Sequence, residues 1–218
     1  MGNILQCQGI PPAPERQHTT TWADFIRAHM PVLAGTDFFS VEVLMLRGLV
    51  TYYVLFFNHL ESRQVEVVGI TPHPNEAWMK QIARNVIMDE WGFLESRRYL
   101  IHDRDTKFTD SFRAIVRSGH VKPLKLPVRS PNLNAYAERW VKSVKDECLS
   151  KLILFGEKSL RRALCEYLIH FHTERNHQGK DNVLLFPVAM KAGKREEGSV
   201  NCKERIGGLL KYYYREAA

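Results

Sequence analysis

The chain has 218 residues, of which 44% are hydrophobic and 25% charged, the make-up of an ordinary soluble globular protein large enough for one well-buried domain with extensions. Its net charge of +7 favours a polyanionic partner, because Lys and Arg that neutralise phosphates release condensed counterions. The longest apolar run, around Leu49 to Phe57, falls far short of the roughly 20 residues that span a bilayer.

The N-terminal MGNILQCQGIPP has neither a basic leader nor a long apolar core, and Gln6 stands where a myristoylation start needs Ser or Thr, so a cytoplasmic location is expected. Cys7, Cys148, Cys165 and Cys202 form no CxxC pair, which excludes a zinc ribbon or a redox motif and suits reduced cytosolic thiols. His170, His172 and His177 cluster in YLIHFHTERNHQG but lack cysteine or carboxylate partners at ligand spacing, so a structural zinc site is not expected there.

In chain order, residues 1–30 read as a Pro- and Thr-rich linker followed by a short amphipathic piece, WADFIRAHM. Val32–Phe39, Leu49–Asn58 and Gln64–Ile70 are β-branched and aromatic runs parted by polar breaks, the pattern of three consecutive strands, with Gly48 at a turn or bulge. From Pro74 to Trp91 the apolar positions Ala77, Trp78, Ile82, Val86 and Ile87 recur at helical spacing. Tyr99–His102 reads as a strand running into Asp103. Thr109 caps a short helix through Arg117, and Val121–Leu126 is another strand. A long helix is expected from about Ser130, with Pro131 in its first turn, and a second over Ser159–His172. The tail from Gly193 is basic and polar to Arg205 and ends in GGLLKYYYREAA; it is expected to pack on its own domain, although an added strand, a subunit contact or a stacking surface for bases would also use it. Strands in a meander, then alternating with helices, give an α/β fold with a mixed sheet.

Three carboxylates stand out in this frame: Asp37 in AGTDFF, Asp103 in YLIHDRDTKF and Glu138 in SPNLNAYAERWVKSVKDE. Acids delivered by two strands and a helix are what two divalent metal ions need when they work on a phosphodiester, since Mg²⁺ and Mn²⁺ prefer hard oxygen ligands. Asp37, on the most rigid support, is the natural bridging ligand, with Asp103 and Glu138 flanking. Lys142 and Lys145 follow Glu138 by four and seven residues, on the same helix face, where cations offset carboxylate repulsion and can grip phosphates; solvated surface is their plainer use. Asp105 could be a fourth ligand, but the TKF after it suggests that the chain has already turned. Asp110, Asp146 and Glu147 suit caps or solvated surface, and Asp89 and Glu90 close a helix.

These segments resemble the catalytic core of DDE transposases of the retroviral-integrase type, as found in bacterial insertion sequences, over about Thr36 to Pro187. GTDFF is similar to the first-aspartate motif, LIHDRDTKF to the second, and SPNLNAYAERWVKSVKDECL to the glutamate helix, with the second and third acids 35 positions apart. FHTERNHQG resembles a recurrent segment after the core, with Phe171, Thr173, Arg175 and His177 at the related places. The resemblance implies an RNase H-like fold, a five-stranded mixed sheet flanked by helices, which binds two Mg²⁺ or Mn²⁺ ions through Asp37, Asp103 and Glu138. It also implies hydrolysis at transposon ends, attack of the new 3′ hydroxyl on target DNA, contacts of Lys142 and Lys145 with transposon-end DNA, and homo-oligomers on that DNA.

The sequence departs from the family pattern in two ways. Arg104-Asp105 replaces the usual Asn-Gly after the second aspartate, and only about 30 residues precede the core where helix-turn-helix segments are normal. The expected organisation is therefore a remnant of a DNA-binding region and linker over 1–30, an integrase-type core over 31–190 and a basic tail over 191–218. A truncated, catalytically inactive remnant that binds DNA or related subunits is the alternative to an active recombinase. An RNase H-like nuclease of other purpose is a third reading.

Overall fold

The structure, a computed structural model, describes residues 21–88, 92–127, 134–187 and 199–215. The chain divides into two compact units, 1–30 and 31–218. In the first, helix α1 spans Trp22–His29, and the Thr21 hydroxyl caps it by accepting the Asp24 amide.

The second unit is built on a five-stranded sheet in the order β3-β2-β1-β4-β5. β1 (Leu33–Met45) and β2 (Gly48–His59) form a long antiparallel hairpin, and β3 (Val65–Thr71) adds antiparallel to β2. β1 runs six residues past the expected Phe39, because Val41 and Val43 continue the alternation of inward apolar residues. Gly48 takes φ +117°, open to glycine at no steric cost, where the hairpin reverses. β4 (Tyr99–His102) and β5 (Lys122–Lys125) pair parallel on the other side of β1, and Pro123 is tolerated because β5 is an edge strand.

Period-2 alternation along β1 and β2 sends side chains to two separate cores. Phe39, Val43, Tyr52, Val54 and Phe56 meet helices α4 (Ala135–Glu147) and α5 (Gly156–Thr173) through Ala137, Trp140, Val144, Leu160, Leu164 and Tyr167. Ala34, Leu55, Phe57 and Leu100 face the opposite way, onto α2 (Glu76–Val86) and α3 (Asp110–Ser118) through Met79, Ile82, Val86, Phe112 and Val116. Helices on both faces of a mixed sheet satisfy both apolar surfaces. Asn75 caps α2 and Thr109 caps α3, the latter as its sequence suggested. The expected helix start at Ser130 and Pro131 lies outside the described residues, as do Asp89 and Glu90; α5 begins at Gly156, three residues before Ser159.

The C-terminal segment forms an antiparallel hairpin, β6 (Val200–Arg205) and β7 (Leu210–Arg215), turning through Gly207 and Gly208, and Leu210 is buried in the α4–α5 core. Its anchor is electrostatic. Arg205 donates to both oxygens of Glu174 at 2.7 Å and to Glu166, while Lys203 and His170 also approach Glu174. Burial alone would raise the Glu174 carboxyl; hydrogen bonds from Arg205 and Lys203 outweigh it and hold it down at about 2.

Arg205→Ala strips the main partner from a carboxylate whose side chain is only 4% exposed. It should lower the unfolding free energy by about 3 kcal/mol, read as a shifted urea midpoint at pH 7. Because the folded carboxyl sits below its ordinary value of 4.5, this contribution is present above about pH 4.5 and fades as pH falls toward 2. A loss under about 1 kcal/mol at pH 7 would show that the hairpin is anchored by its apolar contacts alone.

Candidate active site

The parallel pairing of β1 with β4 ends at Thr36 opposite His102, so Asp37 and Asp103 are the next residues along two neighbouring strands. Asp37 shares a face with Gly35 and Phe39, the face that packs under α4. Its Oδ1 accepts the Phe38 amide at 2.7 Å and its Oδ2 accepts Asn134 Nδ2 at 3.2 Å. Gly35 is small for a reason: a Cβ there would come within 2.7 Å of Asn58 Oδ1 and 3.6 Å of Asn134 Oδ1. Two buried amides thus close over the strand beside the carboxylate.

Burial raises the Asp37 carboxyl to about 6, and the charges of Asp103, Glu138 and Asp105 push the same way. Asp103 is raised as well, again by burial first, with Asp105 adding to it. Below them His102 is fully buried, and burial lowers it to about 4, so it is neutral and its Nδ1 donates to the Asp103 carbonyl at 2.7 Å. The unusual Arg104-Asp105 pair shapes the turn that follows. Arg104 Nε donates to the Leu126 carbonyl at 2.9 Å, tying the turn to the end of β5. The Asp105 amide bonds Asp103 Oδ1 at 3.0 Å, and its carboxylate pairs with Lys107 Nζ at 2.6 Å. Lys107 in turn lies over the Phe38 and Tyr53 rings. Asp105 is thereby committed to a lysine rather than free for a metal ion.

Glu138 occupies the first turn of α4, solvent-exposed, near enough for its charge to act on Asp37. Among the described residues no three His, Cys, Asp or Glu side chains are gathered as ligands of one metal ion. Lys145 Nζ lies over the Phe39 ring, 5.8 Å from its centre, on the face of β1 that carries Asp37. Lys142 is exposed. Glu147, expected on the solvated surface, instead takes a bidentate pair from Arg175, with contacts from 2.6 Å, and the Tyr167 hydroxyl. The histidines are engaged with carboxylate or backbone: His170 with Glu174, His172 with the Val65 amide, His177 with the Phe171 carbonyl. Asn134 is the site residue that sequence reasoning missed. It stands four residues before Glu138 as an ordinary polar residue, and only folding brings it to Asp37 across 97 positions.

Hard oxygen donors whose acidity is already weakened by burial and mutual repulsion fit a divalent cation, which relieves both costs on binding. Asp37 and Asp103, both half-buried, meet that description.

A mixed sheet in this order, with helices on both faces, is the RNase H-like fold. Comparison with known proteins narrows the class. The family described as "Integrase core domain" matches residues 120–183, a stretch that holds α4 with Glu138 and α5 but neither aspartate. The fold matches the catalytic core domain of HTLV-2 integrase in complex with magnesium at 12% identity and a TM-score of 0.51, over 72% of this chain and 95% of that one. The simian T-cell lymphotropic virus intasome in complex with PP2A regulatory subunit B56 gamma matches at 12% identity and 0.50, over 86% and 67%. The BIV integrase core matches at 15% and 0.47, over 68% and 88%. No curated protein matches the sequence. Residues 120–183 thus match the integrase core family, and the fold of the chain is that of retroviral integrase catalytic cores.

The raised Asp37 carboxyl has a measurable consequence. In the fold it keeps its proton to about pH 6, against an ordinary 3.8, so its ionisation costs stability as pH rises through that window. In EDTA at pH 8, Asp37→Asn should exceed the parent in stability by about 2–3 kcal/mol, and the gap should close near pH 4. Mg²⁺ should narrow it by stabilising the parent. Equal stabilities at both pH values would show that Asp37 is not desolvated in the fold.

Proposed function

We propose that this chain is the catalytic core of a DDE-type transposase from an insertion sequence, which carries out metal-dependent phosphodiester hydrolysis and strand transfer at transposon ends. The observation that carries the reading is the placement of Asp37 and Asp103 side by side at the end of the β1–β4 pairing, each holding its proton above the ordinary carboxyl range because it is buried. An integrase-type segment that contains Glu138 supports it.

Asp37, Asp103 and Glu138 would hold Mg²⁺ or Mn²⁺, two ions per site, which when bound would activate the attacking oxygen and stabilise the leaving one. Asn134 fixes one oxygen of Asp37 and the Phe38 amide the other, so the carboxylate is oriented before any ligand arrives. His102 braces the Asp103 backbone from below. Glu138 would reach the ions from the exposed first turn of α4. Lys142 and Lys145 lie one and two turns along from it and would contact the phosphates of the transposon end. Phosphate contacts position DNA without reading its sequence, so the core should bind with low sequence specificity. The HTLV-2 integrase core is in complex with magnesium and the simian viral protein is part of an intasome, which supports a divalent ion and a homo-oligomer on DNA here. No helix among the described residues is long and apolar enough to cross a membrane.

One observation favours a second reading, a catalytically inactive remnant that binds DNA or related subunits: among the described residues no three carboxylates are gathered as ligands of one metal ion. A nicking and strand-transfer assay on the element's own end DNA separates the two. Product should require Mg²⁺ or Mn²⁺, vanish with EDTA, and fall by at least about a thousandfold in Asp37→Asn, Asp103→Asn and Glu138→Gln. Full activity in Glu138→Gln would remove that residue from the site, and salt-sensitive DNA binding without any product would establish the remnant. Lys142→Ala with Lys145→Ala should weaken DNA binding and flatten its salt slope by up to about two, one for each phosphate no longer neutralised. An unchanged slope would return both lysines to plain surface.

A further inference from the structure

β1 and β2 outrun the strands beside them. β3 pairs with β2 only from Tyr53 onward, and β4 leaves β1 at Thr36, so residues 41–45 and 48–52 continue as a two-stranded arm. At the rise of a β-strand the arm extends roughly 17 Å past the last pair with β3. Alternation gives it two faces. Val43 and Tyr52 point into the core under α4 and α5. The opposite face carries Glu42, Leu44, Leu49 and Thr51, all exposed. In the body of the sheet that face is covered by α2 and α3; in the arm it lies bare among the described residues.

The bare surface continues into the loop before α5. Leu44 bridges to Phe155, and its amide donates to the Leu154 carbonyl at 2.8 Å, which seats the loop on the arm. Leu46 in the turn is wholly exposed, and Leu49, Ile153 and Phe155 are 66%, 77% and 64% exposed. These side chains show on the order of 500 Å² of apolar surface, as much as the largest patch on an ordinary monomer and more than half of the about 800 Å² per partner in a standard interface.

The patch is complementary to itself. Leu46 projects beside an apolar cavity of about 370 Å³ that it lines with Leu44, Met45 and Phe155. A two-fold contact uses one patch twice, so it needs a projection and a hollow together. It needs both charges as well, and the arm supplies them: Glu42 on its face and Arg47 in its turn are exposed, and neither has an ion-pair partner among the described residues. Two chains of net charge +7 repel one another, and an apolar patch with balanced charge is where they can still meet.

We infer that two copies of this chain dimerise through the arm, face to face, with Leu46 of each copy in the apolar hollow of the other and Arg47 of each against Glu42 of the other. The inference gives the proposed homo-oligomer its surface and rests on that reading for the meeting of copies, but the contact needs neither DNA nor metal.

The test is sedimentation velocity on the full chain in EDTA, without DNA, over about a hundredfold range of concentration. The parent should be a dimer. Leu46→Asp, at a wholly exposed position on which the fold does not depend, should weaken the dimer at least about a hundredfold, because each copy would bury an unpaired carboxylate. Arg47→Glu should weaken it by about tenfold by setting acid against acid, and the swap of Glu42→Arg with Arg47→Glu should restore it. Melting by circular dichroism as in the parent establishes that each variant is folded. A parent that sediments as a monomer throughout would overturn the inference and leave the face to a different protein. A dimer untouched by Leu46→Asp would overturn it by placing the contact elsewhere, and a swap as weak as Arg47→Glu alone would overturn the two-fold alignment. The two readings fail separately. Strand transfer by a monomeric parent would sink only the arm contact. An inactive protein whose dimer Leu46→Asp breaks would sink only the transposase reading.

Discussion

Everything at the candidate site depends on the parallel pairing of β1 with β4. β1 is the central strand, held by β2 along one edge and by β4 along the other, with a packed helical layer on each face. The last ladder pair, Thr36 with His102, is wholly buried, so the next residue on each strand starts from a rigid position. Two carboxylates are thereby forced into one partly dry place. The fold tolerates this because the Phe38 amide and Asn134 satisfy Asp37, the Asp105 amide satisfies Asp103, and burial keeps protons on the acids longer. The same tension is what a cation would relieve.

Glu138 follows a different logic. It rides on a helix whose inward face, Ala137, Trp140 and Val144, is locked against Phe39 and Phe56, while its own side chain is free in water. A cavity on the opposite flank of α4 is lined by the guanidinium groups of Arg63, Arg139 and Arg175. One helix therefore presents an acid and lysines to one side and an arginine with aromatic rings to the other.

The distant end of the molecule is tied in by charge rather than by area. Glu174 gathers Arg205, Lys203 and His170 in a nearly closed pocket, so the β6–β7 hairpin is pinned to the end of α5. Arg175, the next residue, pairs with Glu147 at the end of α4. The segment FHTERNHQG thus joins both helices and lines the cavity, a structural reason for its residue types.

Much of this was legible in the sequence, because the signals were local. Alternation in VLAGTDFF and TYYVLFFN marks strands buried on two faces, Thr109 marks the start of α3, and Tyr99–His102 needs no neighbour to read as a strand. The acids were legible as residue types at the ends of such runs. What the sequence could not state was which groups meet. Asn134 reaching Asp37, Asp105 spent on Lys107, Glu147 drawn from solvent to Arg175, and an Arg63–Arg139 rim all join residues distant along the chain or turned by a loop. Periodicity sets which face a side chain takes; only the packing of one element on another sets its partner, its burial and so its charge state. The sequence by itself determined an α/β core and its candidate acids. The tertiary structure decided that two of them are adjacent and half-dry, and that the third is exposed on its helix.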